Sequence, residues 1–107
     1  MTNFISTGST YWISDEEIQI LKKNATNGDK NSAFKLYQYH MFVSLDQDLE
    51  FKWLEIAAEN GHPIAQSNLA DLFFTQGNKE KAIFWAKKAY RNGAKLPDEL
   101  KILININ

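Results

Sequence analysis

The side chains best equipped for acid–base or ligand chemistry are two histidines, His40 and His62, and three groups of carboxylates, Asp15-Glu16-Glu17, Asp46/Asp48/Glu50 and Asp98-Glu99. A second ligand three or four residues from a helical histidine would suit a divalent metal, and His40 has none at that spacing. His62 precedes Pro63, where a polar side chain caps the helix that a proline opens. Asp46-Gln47-Asp48-Leu49-Glu50 has the alternation of a calcium loop but lacks its central glycine and its later bidentate glutamate. There is no cysteine, which excludes disulfides, thiolate metal sites and cysteine nucleophiles. Nor is there a glycine-rich phosphate loop, a Gly-x-Ser-x-Gly elbow or a nucleophile beside a base. The expectation is no catalytic residue, no metal, no cofactor, no small-molecule substrate and no enzyme.

The carboxylates fall where helices should start, and there the helix dipole favours negative charge. Ser14-Asp15-Glu16-Glu17 reads as a capping box, with Ile13 and Ile18 placed to staple the entry and Glu17 to reach back to the cap. Ile18, Leu21 and Ala25 share a face until Asn27-Gly28 stops the helix. The spacing predicts a second helix over about 31–42, with Ala33, Tyr37 and Met41 on its stripe. A third runs over about 48–60 with Leu49, Trp53, Ile56 and Ala57. A fourth opens at Pro63 with Ala65, Leu69, Leu72 and Phe73, and a fifth covers about 79–92 with Ala82, Trp85, Ala86 and Ala89. Pro97-Asp98-Glu99 can open one more, so that 97–107 is a short helical cap or an extended tail. No segment after Ser14 alternates with period two. Residues 1–13, including Phe4, Ile5, Tyr11, Trp12 and Ile13, are expected to lie extended over the first helix pair. Burying Tyr11 and Trp12 there would stabilise by roughly 2 kcal/mol each.

One domain accounts for 107 residues, and a net charge of -1 gives no long-range pull toward nucleic acid or anionic lipid. No apolar run approaches the roughly 20 residues that span a bilayer. Met1-Thr2-Asn3-Phe4-Ile5-Ser6 has no basic or apolar signal region. If Met1 is the native start the expected compartment is the cytoplasm; removal of a signal peptide would make it the periplasm.

Self-similarity organises the chain. A shift of 32 brings Ala33, Tyr37 and Met41 onto Ala65, Leu69 and Phe73, and Trp53, Ala57 and Asn60-Gly61 onto Trp85, Ala89 and Asn92-Gly93. A shift of 33 takes Leu21, Ala25 and Asn27-Gly28 onto Leu54, Ala58 and Asn60-Gly61. The units are therefore a truncated helix at 14–28, one hairpin at 31–61 and another at 63–93. The run from Phe51 to Gln66, with Leu69, Phe73, Ala82, Trp85, Ala86, Ala89 and Gly93, resembles the Sel-one-like repeat family, relatives of tetratricopeptide repeats. Ala70 and Gln38 stand where that family usually has glycine, and Glu50 where it has alanine. The resemblance implies an all-α fold of about five to six helices, a short right-handed superhelix of stacked antiparallel hairpins. It also implies a non-enzymatic protein-binding role.

In such a fold the first helix of each hairpin lines the concave surface. On that basis the partner-binding residues are Lys35, Tyr39 and Phe42 and their counterparts Ser67, Asp71 and Phe74. Small repeat proteins of this kind that stand alone are known to neutralise toxins, so the expected partner is a cognate toxin domain, met as an immunity or inhibitor protein. An adaptor or scaffold subunit is the alternative. Lys79, Lys81, Lys87, Lys88, Arg91 and Lys95 give the fifth helix a basic face, with Lys87 and Lys88 expected to point to solvent.

Overall fold

Short polar side chains start nearly every helix. In the structure, a computed structural model that describes residues 10–105, Ser14 caps α1 (Asp15–Thr26) by accepting the Glu17 amide at 3.2 Å. Asp29 caps α2 (Lys30–Tyr39), Asp46 caps α3 (Gln47–Glu59), His62 caps α4 (Pro63–Thr75) and Asn78 caps α5 (Lys79–Arg91). Each accepts a backbone N–H that has no partner inside its helix. A short α6 (Asp98–Leu103) follows Pro97, so the C-terminal piece is a helix rather than an extended tail. Among the described residues there is no strand, and the fold is all-α.

The stops are equally regular. After α1, α3, α4 and α5 a glycine takes positive φ, and the next amide reaches five residues back: Asp29 to Asn24, His62 to Ala57, Asn78 to Phe73, Ala94 to Ala89. At Gly61, with φ 98°, a side chain would clash with its own backbone, which is why the stop needs glycine. In the first three turns the residue after the glycine already caps the next helix. The reversals Asn27-Gly28-Asp29, Asn60-Gly61-His62 and Gln76-Gly77-Asn78 are therefore minimal.

The link between α2 and α3 departs from the sequence reading. The helix widens into a π turn at His40–Ser44, and Leu45 then takes a left-handed conformation at φ 57° before Asp46 caps α3. A hydrogen bond between His40 Nδ1 and Ser44 Oγ, at 2.7 Å, spans the turn.

Turns this short make neighbours antiparallel, and each helix packs on the next in sequence, most closely α2 on α3 and α4 on α5. The shape is extended for its size, with a radius of gyration of 15.0 Å against about 13 Å for a spherical domain of this length. Buried alanines at 33, 57, 58, 65, 82, 86 and 89 let helix axes approach, while Leu36, Tyr37, Trp53, Leu54, Leu69 and Phe73 fill the space between. A second cluster of Ala70, Ala86, Ala89, Leu96 and Leu100 joins α4, α5 and α6. The matched tryptophans differ: Trp53 is 3% exposed, whereas Trp85 is half-buried and packs against both clusters.

Polar side chains also tie the hairpins together. Asn60 Nδ2 donates to the Ala25 carbonyl at 3.2 Å. At the next junction Asn92 Nδ2 donates to Gln66 Oε1 at 2.8 Å, and Gln66 Nε2 donates to the Ala58 carbonyl at 3.0 Å. Asn60 and Gln66 thus each give a second donor to a last-turn carbonyl, Ala25 and Ala58, that already accepts the amide of the glycine after it.

Three expectations are revised. Trp12 is 63% exposed rather than laid on the core, although Ile13 is buried and Tyr11 stacks on Phe42 at 4.5 Å. Glu17 does not reach back to its cap; it pairs with Lys35 at 3.5 Å, which ties α1 to α2. Lys88 folds over the rings of Phe84 and Trp85, at 5.0 and 5.6 Å from their centroids, instead of pointing to solvent. Phe4 and Ile5 lie outside the described residues.

Candidate functional site

The two histidines serve local structure, His62 as a helix cap and His40 within the π turn. His62 Nδ1 accepts the Ala65 amide at 3.2 Å, and its ring stacks on Phe34 at 4.0 Å. Burial, aided by Lys30, holds its pKa below the ordinary 6.5. His40 is buried in the π turn with Nε2 lacking a partner, and Tyr39 packs edge-on against it at 5.1 Å. Its pKa is also lowered, first by burial, with Asp46 opposing and Lys22 adding to the shift. A neutral imidazole suits both places. Among the described residues no three or more His, Asp or Glu side chains gather as a metal ligand set.

The concavities lie along the helices. A groove of about 480 Å³ runs between α2, α3 and α4, lined by Tyr37, Met41, Glu50, Leu54, Asn68 and Asp71, with Leu72 and Thr75 at one end. A neighbouring one of about 350 Å³ shares Glu50, Leu54 and Leu72 with it and continues to Gln47, Phe51 and Gln76. Together they form a channel with an apolar floor along the start of α3 and the end of α4. Asn68 Nδ2 donates to the Tyr37 hydroxyl at 3.3 Å, which fixes the wall where α2 meets α4. Burial raises the Tyr37 pKa, the Asn68 bond opposes that, and the Glu50 carboxylate adds to it. A third groove, about 680 Å³, lies between the start of α4 and the linker 93–97, lined in part by Ile64, Ser67, Lys95, Leu96 and Pro97.

The six residues expected on a concave face do not gather in one place. Lys35 is exposed and engaged by Glu17 of α1. Tyr39 is half-buried against the core, and Phe42 is partly covered by Tyr11. Ser67 is buried at the wall of the third groove, and Phe74 is half-buried between the two core clusters. Asp71 alone of the six is an exposed residue on the rim of the channel. Tyr37 and Met41, which the spacing assigned to the core stripe, prove to be channel walls as well. Their helical period hides this, because a residue at the end of a stripe can be core on one side and groove on the other.

Antiparallel helical hairpins laid side by side, with surface channels between them, define the class of architecture. No family model matches the chain, and no solved structure matches it. Among curated proteins it is similar to YibG of Escherichia coli (strain K12), itself described as uncharacterized, with 35% identity over 95 residues. The match covers 82% of this chain and 62% of YibG, so the chain spans less than two thirds of that relative's length. Among the described residues no helix is long and apolar enough to cross a membrane.

Proposed function

We propose that this chain binds another protein along the channel between α2, α3 and α4, and that it catalyses no reaction. The observation that carries the reading is the make-up of the channel. Met41, Leu54 and Leu72 offer an apolar floor, the joined Tyr37 and Asn68 side chains hold one wall, and Glu50 and Asp71 put two carboxylates beside it. A pre-formed groove of this kind takes a segment with little reorganisation. The segment that fits presents apolar side chains accompanied by Lys or Arg, because the two carboxylates select for cations and reject acids. We infer that the partner is a toxin domain held inactive by occlusion, with this chain as its immunity protein. That step rests on the resemblance to Sel-one-like repeat proteins and not on the fold, since fold alone does not assign function.

The test is calorimetry with the partner recovered from native lysate. Glu50→Lys with Asp71→Lys should weaken binding by at least about 2 kcal/mol while leaving the helical signal intact. Unchanged affinity would remove the channel from consideration. Weak binding to several unrelated peptides, in place of one tight one-to-one complex, would favour an adaptor over an inhibitor. Tyr39→Ala and Phe74→Ala are poorer probes, because both rings pack on the core and their loss would unsettle the fold.

A further inference from the structure

The outward stripes of α3 and α5 correspond position by position and differ in the sign of their net charge. On α3 the stripe is Asp48, Lys52, Glu55 and Glu59; thirty-two residues on, on α5, it is Glu80, Phe84, Lys87 and Arg91. Steps of four, three and four keep each set on one helix face. All eight are exposed except Glu55, which is half-buried. α3 and α5 both pack on α4 and run antiparallel to it, so the two stripes run in the same direction. Glu55 is raised in pKa by burial and by Glu59, and the lowering contribution comes from Lys81, on α5. The imbalance extends beyond the stripes: residues 46–71 hold six acids and one base, a sum of -5, while 79–95 hold six bases and one acid, a sum of +5, in a chain whose net charge is -1.

Lys52 and Lys81 lie over the rings of Trp53 and Phe73, at 5.1 and 5.2 Å from their centroids, but little of this charge is spent in ion pairs. Among the described residues the ion pairs are Lys35–Glu17 and Lys101–Asp98, and neither involves α3 or α5. An aromatic stands within the basic stripe. Phe84 is 52% exposed, set edge-on against Trp85 at 5.1 Å and covered on one side by Lys88. A partly exposed aromatic ring is the kind of side chain that protein interfaces enrich.

Parallel stripes of opposite sign on one face are self-complementary. We infer that two copies of this chain associate through this face, about a twofold axis running along the helices. The rotation lays α3 of one protomer on α5 of its partner in the same direction, and at the same time the reverse. In register, Lys52 meets the partner's Phe84, Glu55 meets the partner's Lys87, and Glu59 meets the partner's Arg91. Asp48 alone meets a like charge, the partner's Glu80, at the exposed helix starts. The contact is isologous and closes on itself, so it yields a dimer and not a filament. It shares neither Glu50 nor Asp71 with the channel, so it stands apart from the proposed function.

Sedimentation of the full chain tests it through charge reversal. The wild type should dimerise at low salt, with affinity falling about tenfold or more between about 0.05 and 0.5 M salt as the paired charges are screened. Lys87→Glu with Arg91→Glu makes both stripes acidic; Glu55→Lys with Glu59→Lys makes both basic. Each reversed chain alone should be monomeric, and an equimolar mixture of the two should form a heterodimer. Phe84→Ala should weaken the wild-type dimer about tenfold, whereas Glu50→Lys with Asp71→Lys should not weaken it. A wild type that stays monomeric at low salt, reversed chains that still self-associate, or a mixture that does not combine would each overturn the inference. The Lys87/Arg91 pair is fully on the surface, so its reversal reads association without risk to the core.

Discussion

Trp53 and Trp85 hold matching positions in their hairpins, yet one lies inside the stack and the other at its edge. Trp53 has packed helices on both sides. Trp85 has beyond it the smaller second cluster, with Leu96 of the linker and Leu100 of the six-residue α6, and the stem of Lys88. The junctions differ in the same sense. Asn60, at the end of α3, reaches the Ala25 carbonyl of α1 directly, while Asn92, at the end of α5, needs Gln66 as an intermediary to reach Ala58 of α3. The outward faces differ most, down to the sign of their charge. Spacing thus decides which side chains turn inward, and the neighbouring helices decide how deeply they are buried.

The largest test of this contrast is truncation of each indole. Trp53→Ala should cost about 3–5 kcal/mol in urea unfolding, and Trp85→Ala about half as much. Equal losses would show that the two settings are alike after all. Next come the junctions. Gln66→Ala should cost about 2 kcal/mol, since it removes two hydrogen bonds, to the Ala58 carbonyl and from the Asn92 amide, while Asn60→Ala, which removes one, should cost about 1 kcal/mol. A reversed order would mean that the bridging amide is dispensable. Smaller again is the pH effect. His40 and His62 both have folded pKa values below 6.5, so the unfolded chain binds protons first as pH falls. Their stabilising contribution is whole above about 6.5 and declines as pH drops toward the folded values. The urea midpoint should fall between pH 7 and 5, and His40→Gln should flatten that slope. The smallest effect is a gain: Leu45→Gly should raise stability by about 1 kcal/mol, because glycine takes the left-handed conformation freely and a 71% exposed leucine is removed.

Much of this architecture was legible in the residues themselves. Ser14, His62 and the Asn-Gly stops announce helix ends because capping is local chemistry, settled within four or five residues. The π turn at His40–Ser44 was not legible, since its five residues carry the same apolar and polar pattern an α-helix would. The candidate site was read only in part. Asp71 was found because exposed acids on a first helix are visible in a helical projection. The burial of Ser67 and Tyr39 was not, because it depends on how other helices and the linker after Gly93 pack against them, and spacing within one helix says nothing of that.

The three minimal reversals have a consequence for how this chain can change in length. At Asn27-Gly28-Asp29, Asn60-Gly61-His62 and Gln76-Gly77-Asn78, the residue that ends one helix, the residue that bends and the residue that begins the next are consecutive. One extra amino acid would part an ending from its beginning and leave amides bare. Insertions or new termini should be tolerated instead at the exposed Leu45, which belongs to neither neighbouring helix.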